Sequence, residues 1–247
     1  MTDSFRFKRF TVKNTDSAMK VNSDGVLLGA CVSINGEEKK ILDAGTGTGT
    51  IALMIAQRAE EKSKTPPEII GIDIDENSAK EARLNFDASP WAETLESRCQ
   101  PLSECQGIFD LIVSNPPYYD ESLQNPDFRK NRSRHTVSVQ DESKADAPLS
   151  FRTLIVFAAS HLSASGRLGV ILPADRESDL LRQGKAYGLF AERIIRIRTL
   201  SDKKPVRIIA ELCKRDVQTK IEELCIQEKG RYTEEYTVLV KDFYLWA

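Results

Sequence analysis

Long apolar runs are missing from this chain of 247 residues. None approaches the roughly 18 residues of a membrane-spanning helix, so a helical membrane protein is excluded. The opening MTDSFRFKRF is charged and lacks the apolar stretch of a secretory signal, which makes the cytoplasm the expected compartment. Cysteine is sparse: Cys31, Cys99, Cys105, Cys213 and Cys225 are odd in number and form no CxxC pair. Histidine is sparser, with His135 and His161 alone. A disulfide framework and a structural zinc site are thereby excluded, and reduced thiols with no bound metal are expected. An excess of one charge is missing too. The 35 Lys and Arg oppose 37 Asp and Glu for a net −2, so any nucleic-acid site must be a local patch. No repeat or low-complexity tract points to a solenoid.

What is present suits a folded domain. With 40% hydrophobic and 29% charged residues, wholesale disorder is excluded, and the length fits one α/β domain with a small appendage. KKILDAG, PPEIIGIDID, LESRC, FDLIVSN, RLGVILP, RIIRIRTL and RIIAELCKR read as strands with apolar centres. Helical patterns of 12–15 residues separate most of them, the rhythm of a mostly parallel sheet covered on both faces. About five such units fall short of the eight of a barrel, so a doubly wound α/β sheet of about seven strands is expected. Residues 1–37 form an extension before residues 38–247. In it FRFKRFTVKN alternates like an edge strand, and NSDGVLLGACV starts like a helix capped by Ser23 or Asp24. Residues 119–148 are polar and aperiodic, the character of a binding loop.

The first chemical feature is Asp43-Ala44-Gly45-Thr46-Gly47-Thr48-Gly49, between a strand and a helix. Gly45, Gly47 and Gly49 allow a tight turn and close backbone approach to a ligand. Asp73 and Asp75 end the next strand, where a carboxylate can accept hydrogen bonds from both ribose hydroxyls of a nucleoside. Asp43 selects among adenosine cofactors. It would repel the pyrophosphate of NAD and attract the sulfonium and ammonium of S-adenosylmethionine. The alternative is that Asp43 caps the following helix, although Thr46 or Thr48 stands nearer the cap position.

The second feature is the strand FDLIVS ending in Asn115-Pro116-Pro117-Tyr118. Two prolines end the ladder and hold the backbone extended. The Asn115 side-chain oxygen and the Pro116 carbonyl can accept both hydrogens of a planar amine, pulling its nitrogen towards sp3 geometry and freeing the lone pair. Tyr118 offers a flat face to an extruded base. The alternative is a plain turn.

DAGTGTG, GIDID and SNPPYY in this order resemble class I S-adenosylmethionine-dependent methyltransferases that act on exocyclic or amide nitrogen. With FRFKRFTVKNTDSAMKVNSDGVLLGA before them and RSRH after, the chain is similar to the bacterial tRNA1(Val) adenine-N6 methyltransferases. The resemblance implies a Rossmann-like methyltransferase domain over residues 38–247, with the last strand of the sheet antiparallel. It implies transfer of methyl to N6 of the adenine 3′ to the anticodon, with tRNA as partner and a monomeric state. It places Lys20 and Asp24 near the methionine end of the cofactor; an exposed lysine and a helix cap are the bland alternatives. Family members usually carry an acidic residue contacting the cofactor adenine at the end of the strand before NPPY. That position falls here on Gln100 or Cys99. Methylation of a protein glutamine amide and of guanine N2 in rRNA share the NPPY signature and stand as rival readings.

Cations cluster in three runs. Arg129, Lys130, Arg132, Arg134 and His135 follow the NPPY turn in a stretch between Asp127 and Asp141 that holds no acid and, with Pro117 and Tyr119, are the expected substrate contacts. Arg193, Arg196, Arg198, Lys203, Lys204 and Arg207 form a second run. Arg6, Lys8, Arg9 and Lys13 form a third. Any one could be a solvated face, but three around one site suggest an RNA footprint.

Overall fold

Strands buried on both faces carry apolar side chains along their centres, as the central strands here do. The computed structural model describes residues 3–17, 19–117 and 149–247. After a hairpin of β1 (Ser4–Arg6) and β2 (Thr11–Lys13) comes helix α1 (Ser23–Cys31). Then β3 (Lys40–Ala44), α2 (Thr50–Lys62), β4 (Glu68–Asp73), α3 (Glu76–Asp87), β5 (Leu95–Cys99) and β6 (Phe109–Ser114) alternate. Beyond residue 148 follow α4 (Phe151–His161), β7 (Leu162–Pro173), α5 (Glu177–Ala186), β8 (Phe190–Leu200) and β9 (Arg207–Cys213). The chain closes with β10 (Lys220–Glu228), β11 (Arg231–Tyr232) and α6 (Glu234–Val240).

The main sheet has nine strands in the order β11-β10-β8-β9-β7-β6-β3-β4-β5. Strands β5, β4, β3, β6 and β7 are parallel, and β9 runs antiparallel to both β7 and β8. The expected seven strands with an antiparallel last member are β3 to β9. Two more, β10 and β11, extend the sheet beyond them. Alternate residues feed two cores. Ile41, Ile69, Leu111 and Val113 point to the layer holding α1, α2 and α6. Leu42, Ile70 and Ile112 point to the layer holding α4 and α5. All seven of these side chains are buried, which is why the strands read as unbroken apolar runs.

The N-terminal segment differs from the expected edge strand. Phe7 donates its amide to Phe10 at 2.9 Å and turns the chain back, so FRFKRFTVK pairs with itself as a separate two-stranded sheet. Phe7 and Phe10 are both buried, with rings stacked 4.5 Å apart, which a straight two-residue alternation cannot place on one face. The five cysteines are free thiols. Among the described residues, no helix is long and apolar enough to cross a membrane, and no group of three His, Cys, Asp or Glu could hold a metal ion.

Candidate active site

Strand order reverses between β3 and β6, and in an open α/β sheet the crevice at the carboxyl ends there is the ligand site. The glycine loop leaves β3 and Asn115 leaves β6, so the two sequence features face each other across that crevice. Ser114 ties the two strand ends together, its hydroxyl donating to the Ala44 carbonyl at 2.6 Å.

Gly45, Gly47 and Gly49 all have positive φ. At Gly45 a Cβ would stand 2.5 Å from Leu149 Cδ2, and at Gly49 one would stand 2.4 Å from the Phe86 ring. Neither position admits a side chain. Gly49 is itself the N-cap of α2, without a side-chain cap, so neither Thr46, Thr48 nor Asp43 caps that helix. The Thr46 hydroxyl instead donates to Asp43 Oδ2 at 2.8 Å, and Thr48 pairs with Thr50.

Asp43 is fully buried, and its Oδ1 has no hydrogen-bond partner among the described residues. Burial pushes its pKa up to about 7, opposed by the Thr46 hydroxyl and the Ala52 backbone amide and reinforced by the charge of Asp73. Asp73 receives the Gly47 amide on Oδ2 at 2.9 Å and the Asp75 amide on Oδ1 at 3.0 Å. Each oxygen keeps a second lone pair for a ligand hydroxyl. Burial also raises the Asp73 pKa, with the Asp75 and Gly47 amides working against it. Asp75 is used locally, capping α3 through the Ser78 amide at 2.8 Å. At the end of β5, Gln100 donates its amide to the Asp73 carbonyl at 2.9 Å and its side chain bonds the Cys105 thiol. Cys99 is exposed, its sulfur 3.8 Å from the Ile74 carbonyl.

Asn115 is 6% exposed. Its Nδ2 lies 3.5 Å from Asn22 Oδ1 and 3.7 Å from Met19 Sδ, which directs the amide nitrogen to the N-terminal segment. Asn22, not Ser23 or Asp24, caps α1 through the Gly25 amide at 2.8 Å. Lys20 lines the crevice, and its ammonium donates to the Thr15 carbonyl. Asp24 pairs with Arg207 at 2.9 Å from the neighbouring β9. Pro116 and Pro117 close the described part of the turn. Tyr118, Tyr119, Arg129, Lys130, Arg132, Arg134 and His135 lie outside the described residues.

The second cationic run is a correction. Arg193 pairs with Glu211 at 2.9 Å and Glu222 at 2.8 Å, and Arg196 pairs with Glu177 at 2.6 Å. Arg198 pairs with Glu223, Lys203 with Asp202, and Arg207 with Asp24. Partners distant in sequence answer a run that Asp202 alone opposes locally. The third run is similar: Lys8 holds the carbonyls of Lys241 and Ala247, and Arg9 pairs with Glu60 at 2.7 Å.

Three further residues had no sequence signal. Ile74 is 62% exposed directly after Asp73, an apolar surface at the end of β4. Glu81 and Asn85 on α3 bond the N-terminal segment through contacts 64 to 72 residues apart in sequence.

The chain matches the methyltransferase small domain family over residues 13–132. It is 37% identical to a tRNA1(Val) (adenine(37)-N6)-methyltransferase of Trichodesmium erythraeum, covering 98% of each chain. Its fold is similar to a predicted O-methyltransferase of Agrobacterium tumefaciens, with a TM-score of 0.62, 16% identity, and 89% and 96% of the two chains covered. It is also similar to a T. thermophilus 16S rRNA N2 G1207 methyltransferase in complex with AdoMet and guanosine. That match has a TM-score of 0.55 and 18% identity, covering 86% of this chain and 50% of the other.

Proposed function

The chain belongs to the family of tRNA1(Val) (adenine(37)-N6)-methyltransferases, and from that premise we infer that it methylates N6 of an adenine in tRNA with S-adenosylmethionine. The observation that carries the reading is Asn115 facing the glycine loop across the point where the strand order reverses. The target is the one named for the relatives, adenine 37 of tRNA1(Val). The cytoplasm, where tRNA is matured, is the proposed compartment.

The residues fit the cofactor. Asp43 brings a buried carboxylate oxygen without a donor, suited to a cation and ill suited to a pyrophosphate. Asp73 has lone pairs left for two ribose hydroxyls, the loop of Gly45, Gly47 and Gly49 leaves room for close approach, and Gln100 and Ile74 flank the base. Lys20, on the crevice wall, stands at the methionine end; Asp24, paired with Arg207, acts through that wall. Bound there, the cofactor supplies an electrophilic methyl on a sulfonium sulfur.

Asn115 and Pro116 then do the work on the amine. With Nδ2 turned to Asn22, Asn115 presents Oδ1 on its other side, and the Pro116 carbonyl provides the second acceptor. Accepting both amine hydrogens localises the nitrogen lone pair, which points at the methyl. No side-chain base is needed before transfer, because the proton leaves only after the nitrogen has been alkylated. Tyr118 stacks the extruded base, with Pro117 and Tyr119 beside it, and Arg129, Lys130, Arg132, Arg134 and His135 hold phosphate.

Incubation with methyl-labelled S-adenosylmethionine, unmodified tRNA and a protein fraction tests this. Label on N6-methyladenine in tRNA is the expected result, and label on protein glutamine or on guanine in rRNA would replace the reading.

A further inference from the structure

Resting on the function read above, we propose that Glu81 and Asn85 are positioning residues for the cofactor: from α3 they clamp the N-terminal segment as the third wall of the crevice. The crevice is lined by Gly45, Thr46, Gly47 and Thr48 on one side, by Asn115 on a second, and by Met19, Lys20, Val21 and Asn22 on a third. On the function read above, the glycine loop would hold the cofactor and Asn115 the amine. The methyl would then pass where those two surfaces meet, beside the N-terminal wall.

That wall belongs to no sheet. From Thr15 to α1 the described residues have no ladder partner, so their amides must be satisfied by something else. One carboxylate satisfies three of them. Glu81 accepts from the Thr15 amide at 2.7 Å, the Thr15 hydroxyl at 2.9 Å, the Asp16 amide at 2.9 Å and the Ser17 amide at 2.8 Å. Glu81 is 1% exposed, and a carboxylate so buried persists only when bonded as fully as this. Asn85 spends its whole amide in the same cause. It accepts from the Lys13 amide at 2.7 Å and donates to the Lys13 carbonyl at 3.1 Å and to the Thr48 carbonyl at 2.8 Å. The last bond joins the segment to the glycine loop itself.

The other end of the wall is pinned independently. Asn14 accepts the Val21 amide at 2.9 Å, and Asn22 donates to the Lys20 carbonyl at 3.0 Å while capping α1. Between the two anchors the chain passes close over the loop: a Cβ at Gly47 would lie 3.5 Å from the Met19 carbonyl oxygen and from Ser17 Oγ. Helix α3 begins three residues past Asp73, so one rigid element sets both the ribose carboxylate and the wall opposite it. Neither Glu81 nor Asn85 touches the reacting atoms. Their effect is on the shape of the site.

The test uses the full-length protein with Glu81→Gln, which keeps the shape but turns an amide donor towards backbone donors, and Asn85→Asp, which loses both donors. Calorimetry gives the affinity for S-adenosylmethionine, steady-state kinetics separate KM from kcat, and hydrogen exchange reads the amides of residues 15–17 and 19–22. Cofactor should slow exchange there in the wild type. Each variant should lose at least tenfold in cofactor affinity, with the loss falling on KM for S-adenosylmethionine rather than on kcat or on KM for tRNA. Should Glu81→Gln not fold, Asn14→Ala, which releases only the Val21 amide, carries the same measurement. Wild-type cofactor affinity in a variant whose residues 15–17 exchange faster would overturn the proposal, as would wild-type exchange that cofactor leaves unchanged. A wild-type protein that does not bind S-adenosylmethionine at all would overturn the function itself, and the proposal with it.

Discussion

Asp43 is the residue whose chemistry is most exposed to pH. Its folded pKa, about 7, lies above the ordinary 3.8. The native state therefore holds the proton more tightly than the unfolded chain between those values, and stability falls as pH rises through that window. Below pH 4 the burial costs nothing; above pH 7 the full cost, on the order of 4 kcal/mol, is present. Asp43→Asn should accordingly raise the melting temperature of the cofactor-free protein by roughly 10 °C at pH 8 and leave it unchanged at pH 4. A cation bound beside Asp43 favours its ionised form. Affinity for S-adenosylmethionine should thus rise from pH 6 to 8 with proton release, and the Asn variant should lose both the affinity and the pH dependence. Calorimetry in two buffers of different ionisation enthalpy measures the protons; a flat profile in the wild type would refute the assignment. Asn115→Ala separates binding from chemistry at the same scale. Turnover should fall by about a hundredfold or more, the scale of one preorganised polar contact to the transition state. Cofactor affinity should stay within about threefold, as expected for a side chain whose partners are Asn22 and the amine. Comparable losses in both would place Asn115 on the cofactor instead.

At the scale of elements, the outer sheet is held by charge. Arg193 on β8 reaches Glu211 on β9, Glu222 on β10 and the Cys31 carbonyl at the end of α1. Glu211 is 1% exposed. Arg193→Ala would leave the Glu211 carboxylate to the Ser33 amide and hydroxyl and to Arg167 at 3.6 Å, a loss of about 3 kcal/mol for its charged hydrogen bond. The expected outcome is a melting temperature lower by roughly 10 °C with tRNA affinity of the folded protein unchanged. A phosphate-binding Arg193 would give the reverse pattern. The same network explains what could be read from residues alone. Strands β3, β4, β6 and β7 were legible because both faces are buried, which demands Val, Ile and Leu throughout. Strand β10, KIEELCIQE, carried no such signal: it lies near the edge, and its glutamates answer arginines of β8 across the strand pair. The glycine loop and the NPPY turn were legible because their chemistry is local. Glu81 and Asn85 were not, since a mid-helix Glu and Asn declare nothing until the segment they bond is folded against them. The cap of α1 slipped by one residue for a similar reason: Asn22 serves both the helix and Asn115.

For the whole molecule the question is where a polyanion can rest on a chain of net charge −2. Among the described residues, five of the six cations in the run from Arg193 to Arg207 sit within 4.0 Å of a carboxylate, leaving only Lys204 outside these pairs. Lys8 and Arg9 are committed to carbonyls and to Glu60. These pairings weaken two of the three patches as phosphate sites, whereas the window from residue 128 to 140 holds Arg129, Lys130, Arg132, Arg134 and His135 with no acid among them. If these cations track the tRNA backbone, replacing Arg129, Lys130, Arg132 and Arg134 together by Ser should weaken tRNA binding strongly. Each lost phosphate contact should also lower the slope of log K against log salt by about 0.7–0.9. Melting temperature and cofactor affinity should survive, because charged side chains contribute little to a hydrophobic core. Arg196→Ala is the counterpart: its partner Glu177 already neutralises it, so its salt slope should equal that of the wild type. Titrations of tRNA against the three proteins at several salt concentrations decide the matter. Equal slopes for wild type and the four-site variant would mean that phosphate is held elsewhere, and the exposed remainder, Lys204 first, would become the next surface to change.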